Sequence, residues 1–405
     1  MTDSAVSTFE FNPFADGFTD DPYPHYAALR ASSPVHEHPL GFWVLAEHDD
    51  VSALLRSGHS VNTRHAAPGP LRDLRESVYG DAGPRLNTLS MLDQDPPDHT
   101  RLRKLVAKAF TPRAVEALEP RIVRLVDDAL DRIAAAGRVD LVAELAFPLP
   151  FAVISEMLGM PPIDHVRLRE LTGVMVRSVE PVVDPELMAR IAEADRELVT
   201  IGEEVIDWKR RNPDEDLLTA LIAAEDDGDM LSDAELVSQL LLLYVAGHET
   251  TVNLIAGGTL ALLRNPDQLA LLRERPELTA NAVDELLRYD SPVQMSRRIT
   301  LEPYHVREFE IPAGSFVIAS LASANRDPKF WGDDADALRL DRPNARQHSS
   351  FGAGVHHCLG AALARLEGRV AIGRLVERFP ELALESVRWN GRINLRGPEE
   401  LMVTV

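Results

Sequence analysis

The chain of 405 residues carries 42 basic against 64 acidic residues, a formal net charge of −22, with 45% apolar and 26% charged positions. This is the composition of a globular protein that buries a large core, and a field of this sign repels polyanions, which argues against bulk nucleic acid and anionic membranes as partners. The one cysteine, Cys358, excludes an internal disulfide, a CxxC redox pair, a Cys-rich zinc site and covalent cofactor attachment through C-x-x-C-H.

The stretch from Met1 to Asp20 has no basic segment followed by a long apolar run, so no secretory signal is read there and a cytoplasmic protein is expected. Pro13, Pro22, Pro24 and Pro34 break the beginning of the chain, after which Gly41 to Leu45 reads as a short strand leading into a helix through Leu55. Residues 1–60 are thus expected to be a small β-rich part. Between Asn62 and Gln94 the breakers Pro68, Gly69, Pro70, Gly80, Gly83 and Pro84 predict a long irregular loop, a feature that often carries function.

From His99 to about Leu263 the apolar spacing is helical, as in Val115, Leu118, Ile122, Leu125, Val126 and Leu130. Ser232 and Glu235 form a capping-box pattern, and no proline follows Asp233 until Pro266, which predicts a helix of about 30 residues, roughly 45 Å long. Its apolar stretch, Leu240 to Gly247, is too short for a membrane span before His248 and Glu249 interrupt it. The interruption, Ala246-Gly247-His248-Glu249-Thr250-Thr251, needs a reason in a helix that is otherwise apolar all round. One reading is structural: Glu249 pairs with another core side chain, and the threonines bond back to carbonyls a turn earlier. The other is a ligand site, because Gly247 costs a helix interior about 1 kcal/mol relative to alanine and leaves space for close approach. A zinc-protease H-E-x-x-H reading fails, since Val252 stands where the second histidine belongs.

Residues 291–317 turn strand-like, Leu359 to Phe379 returns to a helix with Leu363, Leu366, Val370, Leu375 and Phe379 on its apolar positions, and Trp389 to Val405 reads as short strands. No repeat, low-complexity tract or Gly/Ser linker divides the chain, so a single domain over 1–405, mainly α with small β-sheets, is expected.

The segment Phe351-Gly352-Ala353-Gly354-Val355-His356-His357-Cys358-Leu359-Gly360 resembles the F-x-x-G-x-x-x-C-x-G cysteine-ligand loop of the cytochrome P-450 family. Ala246 to Thr251 resembles that family's oxygen-activation run, and Glu285-Leu-Leu-Arg288 its E-x-x-R pair, in the family's order. Asp95 to Arg103 and Ala324-Asn325-Arg326-Asp327-Pro328 are similar to further stretches of bacterial members, so the likeness covers nearly the whole chain. Ala337 departs from it, standing where the third member of the Glu-Arg-Arg triad is expected. Gly352-x-Gly354 is no dinucleotide fingerprint, lacking a small residue at His357 and a βαβ setting.

The resemblance implies the cytochrome P-450 fold, with haem b between the long central helix and the cysteine loop, and Cys358 as axial metal ligand. A thiolate ligand favours cleavage of bound O2. The loop residues Phe351, Gly352, His356 and Gly360, with Ala246 and Gly247 opposite, are then expected to contact the cofactor, and His99, Arg103, Arg298 and His356 to bind its propionates. Glu249 and Thr250 are the expected catalytic acid and hydroxyl relay. The implied activity is insertion of one oxygen atom from O2 into a lipophilic small molecule, by hydroxylation or epoxidation. The substrate would be lined by about 62–92, 165–194, Ser291 to Met295 and Leu395 to Met402. Peroxide-driven oxygenation and a non-catalytic haem-thiolate sensor are the alternatives. The chain has no flavin, nicotinamide or iron–sulfur motif, so electrons from NAD(P)H are expected to arrive through ferredoxin reductase and ferredoxin. Arg101, Arg103, Lys104, Lys108 and Arg113, with Arg365, Arg369 and Arg374, are the candidate docking charges.

Overall fold

The computed structural model describes residues 9–69, 72, 73, 76, 89–108, 110–161, 165–181, 184–226 and 229–405. Helices α1 (Tyr23–Ser32), α2 (His48–Arg56), α3 (Asp98–Ala107), α4 (Glu119–Ala136), α5 (Pro148–Leu158), α6 (His165–Met175) and α7 (Pro185–Arg211) precede the central α8 (Asp233–Arg264), and α9 (Pro266–Glu274), α10 (Thr279–Tyr289) and α11 (Ala361–Arg378) follow it. The strands are β1 (Val35–Glu37), β2 (Phe42–Leu45), β3 (Arg138–Asp140), β4 (Glu225–Asp226), β5 (Asp229–Met230), β6 (Met295–Ile299), β7 (Tyr304–Val306), β8 (Phe309–Ile311), β9 (Phe316–Ser320), β10 (Ala383–Trp389) and β11 (Pro398–Thr404). Of the breakers expected to form the long loop, Pro70, Gly80, Gly83 and Pro84 lie outside the described residues. Thr63–His65 is a single 3-10 turn.

The central helix begins where its capping box requires. The Ser232 hydroxyl accepts the Glu235 N–H at 3.3 Å, and the Glu235 carboxylate accepts the Ser232 N–H at 2.9 Å. It runs for 32 residues and stops at Asn265, immediately before Pro266. Its apolar stretch is mostly buried inside the fold, against α5, α7, α10 and α11.

Two apolar clusters divide the helix between them. Leu236 to Val245 pack with Ile154 of α5, Leu171 of α6 and Leu198 of α7. Val252, Ile255, Ala256 and Leu260 pack with Ile122 and Val126 of α4, Leu366 and Val370 of α11, and Leu401 and Val403 of β11. Each such side chain removed from water contributes about 1.5–3 kcal/mol. The run Ala246 to Thr251 is the seam between them.

The largest sheet has the order β1-β2-β9-β6, with β2 parallel to β9 and β6 antiparallel to it. It sets Arg298 opposite Val317 and buries its side chain. A second sheet, β10-β11-β3, ties the C-terminal hairpin to the end of α4.

The sequence left the Glu-Arg-Arg triad open at Ala337, and the fold closes it elsewhere. Glu285 and Arg288 are both fully buried and joined at 2.7 and 2.8 Å. The third member is Arg342, whose Nε donates to Glu285 Oε1 at 3.1 Å. The segment before Arg342 folds back on α10, so Ala337 serves through its backbone: its carbonyl accepts Arg288 Nη2 at 2.7 Å and Arg342 Nη2 at 3.2 Å.

Candidate active site

The cysteine loop is shaped by two left-handed glycines, Gly352 at φ 67° and Gly354 at φ 69°. A side chain at Gly354 would also place its Cβ 2.7 Å from the Leu55 carbonyl of α2, so the loop closes onto that helix only with glycine there. Cys358 donates its N–H to the Phe351 carbonyl at 2.8 Å, and Gly360 caps α11 just beyond. The aromatic ring of Phe351 packs on Leu254 of α8 and Leu287 of α10, while Leu359 packs on the cluster around Leu240. Both neighbours of the cysteine therefore seat the loop against the central helix.

Cys358 is accessible at its surface, yet protein crowds round its thiol. Burial pushes its thiol above the ordinary range, while the Gly360 N–H and the guanidiniums of Arg103 and Arg365 pull it down. These donors favour the thiolate, but burial outweighs them. A metal cation bonded to the sulfur would supply the missing stabilisation.

Four basic residues meet at this loop: His99 and Arg103 of α3, Arg298 of β6 and His356 of the loop itself. His99 and His356 have ring centroids 4.2 Å apart, and Arg103 donates to the His357 carbonyl at 2.7 Å. Arg298 donates to the carbonyls of Arg297 and Leu55 at 2.7 and 3.1 Å and to the Ser296 hydroxyl at 3.4 Å. Among the described residues neither arginine has a carboxylate partner, and the buried Nδ1 of His99 has no hydrogen-bond partner. Burial pulls Arg298 down to about 10, and burial with His99, Arg298 and Arg103 nearby pulls His356 down to about 3. The histidines are therefore neutral hydrogen-bonding groups and the two arginines the cations. Uncompensated positive charge with spare donors suits the carboxylates of a bound anion.

On the central helix, Ala246 and Thr250 are one helical turn apart on the same side of α8, and Ala246 is exposed in the middle of a buried helix. The space expected beside Gly247 is taken: a Cβ there would lie 3.1 Å from Ile154, so this glycine permits close packing of α8 on α5. Thr250 bonds back to the Ala246 carbonyl at 3.1 Å. Glu249 is not bonded to Thr250 but paired with Arg392 of the β10–β11 loop. Buried His248 gives Nδ1 to the Tyr244 carbonyl at 2.9 Å and packs against Phe147 and Phe151.

Two groups at this seam escaped the sequence reading. Arg392 comes from a distant loop, and no local pattern marks it. Glu367 of α11 is buried, touches the Thr251 hydroxyl, has one carboxylate oxygen without a partner, and is pushed up to about 8 by burial. Its signal was legible: an acid at 367 shares the buried helix face of Leu363 and Val370.

Of the expected substrate-lining stretches, Met91, Leu168, Ile191, Val293 and Leu395 belong to the cluster of the first half of α8. Leu401 and Val403 belong to the other cluster, so the pocket side of the tail ends near Leu395. The basic run is divided as well. Arg101 pairs with Glu235, Arg365 with Asp284, Arg369 with Glu119 and Arg374 with Asp127; the side chains of Lys104, Lys108 and Arg113 are largely exposed to solvent.

A family model described as Cytochrome P450 matches residues 186–387. Cytochrome P450 107B1 of Saccharopolyspora erythraea is 43% identical across 96% of each chain. Vitamin D(3) 25-hydroxylase of Pseudonocardia autotrophica is 42% identical across 95% of this chain and 93% of its own. Among solved structures, P450BioI in complex with an acyl carrier protein ligated by hexadec-9Z-enoic acid has a TM-score of 0.89 at 34% identity, covering 96% of this chain and 100% of that one.

Proposed function

Because the chain belongs to the cytochrome P450 family and is a haem-iron monooxygenase that uses O2, we propose that it oxygenates a large lipophilic molecule held between α8 and the loop of Cys358. The observation that carries this reading is an accessible cysteine beside two arginines that, among the described residues, have no carboxylate partner, on a loop whose Phe351 and Leu359 pack on the helix that leaves Ala246 exposed. The residues present fit haem b. Cys358 would ligate the iron, with Phe351, Gly352 and Gly360 shaping the ligand loop, and Arg103, Arg298, His99 and His356 would hold the propionates.

When bound, that group supplies reductive activation of O2 through a thiolate-ligated iron. The chain's own part is positional and protic. Thr250 presents a hydroxyl from a turn that leaves Ala246 bare, and Glu249, held by Arg392, is the carboxylate next to it. The apolar side chains of Met91, Val293 and Leu395, clustered with the first half of α8, would exclude water from the substrate.

The vitamin D hydroxylase and the fatty-acyl complex of P450BioI support an extended hydrocarbon substrate of sterol, polyketide or acyl type. Electrons from NAD(P)H would enter through a reductase and an acidic ferredoxin on the cysteine side. There exposed Lys104, Lys108 and Arg113 provide positive charge and Val355, 53% exposed, an apolar contact. With the apolar stretch of α8 buried, we read the protein as cytoplasmic.

Turnover with surrogate ferredoxin and reductase tests this. Wild type is expected to convert lipophilic substrates with consumption of O2, and Thr250→Ala to keep consuming reductant while forming several-fold less product. Activity with hydrogen peroxide alone and none with the electron-transfer proteins would overturn it.

A further inference from the structure

Glu180 lies between α6 and α7, at the end of the short turn Val176–Val179, far in sequence from the C-terminal hairpin. Its carboxylate nevertheless accepts three consecutive backbone N–H groups of the β10–β11 loop: Ile393 at 2.8 Å and Asn394 at 2.9 Å on one oxygen, and Leu395 at 2.8 Å on the other. Asn394 completes the joint through Nδ2, which donates to the Val179 carbonyl at 3.0 Å. Successive amides turned toward one point form an anion nest, and here the anion is a side chain of the same protein.

The nest follows directly after Arg392, which pairs with Glu249 on α8, both side chains being largely withdrawn from water. The same loop is tied down on its far side. Gln294 donates its N–H to the Asn394 carbonyl at 2.9 Å, and Met295 donates to Asn394 Oδ1 at 3.0 Å. Leu395 is buried in the apolar cluster of α8, and a Cβ at Gly397 would lie 2.1 Å from Asn253 Oδ1, so the loop rests against the central helix without room to slide. What faces the Glu249 carboxylate is Arg392 from this loop and His248 Nε2 at 3.9 Å on its own helix.

We propose that Glu180 is a positioning residue: by binding the N–H groups of Ile393, Asn394 and Leu395 it fixes the loop so that Arg392 is held against Glu249. The segment between α6 and α7 thereby holds in place the ion pair beside Thr250. Three charge-assisted bonds to one carboxylate are strong enough to decide the loop's position.

The test uses the haem-loaded enzyme and two readouts. The functional half rests on the role proposed for Glu249; the anchoring half does not. By hydrogen-exchange mass spectrometry, Glu180→Ala is expected to speed exchange of the 390–397 amides about tenfold or more, with α8 unchanged, and Glu180→Gln to restore part of the protection. Unchanged protection in Glu180→Ala overturns the anchor. In the pH profile of product formed per O2 consumed, Glu180→Ala and Arg392→Ala should move the same limb, and the double variant should be no worse than Arg392→Ala alone. Multiplying effects would overturn the positioning role. A wild-type profile in Glu249→Gln would instead remove the functional half and the proton role of Glu249 together, leaving the exchange result to stand by itself.

Discussion

Behind the cysteine loop and in front of it, the protein buries charge in opposite ways. Behind, Glu285 is sealed from water but meets Arg288, Arg342 and the Arg339 N–H, and Arg288 spends its remaining donors on the carbonyls of Asn325, Ala335 and Ala337. In front, Arg298 and Arg103 end on neutral acceptors, His99 keeps an unpartnered nitrogen, and Glu367 has a threonine for company and no cation. Charge that is fully compensated within the chain holds the scaffold. Charge that is not points to a ligand or to a proton.

Cutting the compensated side should have the largest effect. Glu285→Ala leaves buried Arg288 without a carboxylate and Arg342 with Asp334 alone, and is expected to cost about 3–5 kcal/mol, read as a large drop in unfolding midpoint or as failure to accumulate folded protein. A wild-type midpoint would break the contrast. Removing charge from the uncompensated side should behave differently. Arg298→Ala is expected to leave the fold intact and speed haem transfer to an acceptor globin by roughly tenfold, because the buried cation proposed to hold a propionate is removed.

Glu367 gives a smaller effect whose sign is fixed. Unfolded, the carboxyl ionises near 4.5; folded, burial pushes it up to about 8, so the native state keeps a proton that the unfolded chain releases. Its contribution to stability is present below the lower value and is lost as pH rises toward the upper one. Glu367→Gln should flatten that part of the curve of unfolding midpoint against pH, and an unaltered curve would mean that the acid is ionised in the fold. The smallest effect is expected from charge reversal at Lys104 and Arg113, exposed residues that should alter the salt dependence of reduction by an acidic ferredoxin while leaving substrate binding as it was.

How much of this was legible in the sequence depended on whether the information was local. The limits of α8 followed from Ser232, Glu235 and Pro266, because caps and prolines act within a turn of their own position. The loop of Cys358 was legible because its glycines answer a backbone demand at Gly352 and Gly354. Long-range pairings were not. Arg342 in place of Ala337, Arg392 on Glu249 and Glu180 on the 393–395 amides each join segments whose spacing carries no period. Gly247 was half legible for a related reason: a glycine in a helix signals close approach, but only the packed fold shows that Ile154 approaches it.

The central claim is that Cys358 supplies a thiolate to iron, and the absorption spectrum of the reduced, haem-loaded protein under carbon monoxide tests it most directly. Wild type is expected to show the red-shifted Soret band of thiolate ligation, and Cys358→Ser to retain haem without it. A wild-type spectrum lacking that band in folded, haem-loaded protein, or a serine variant that keeps it, would contradict the account.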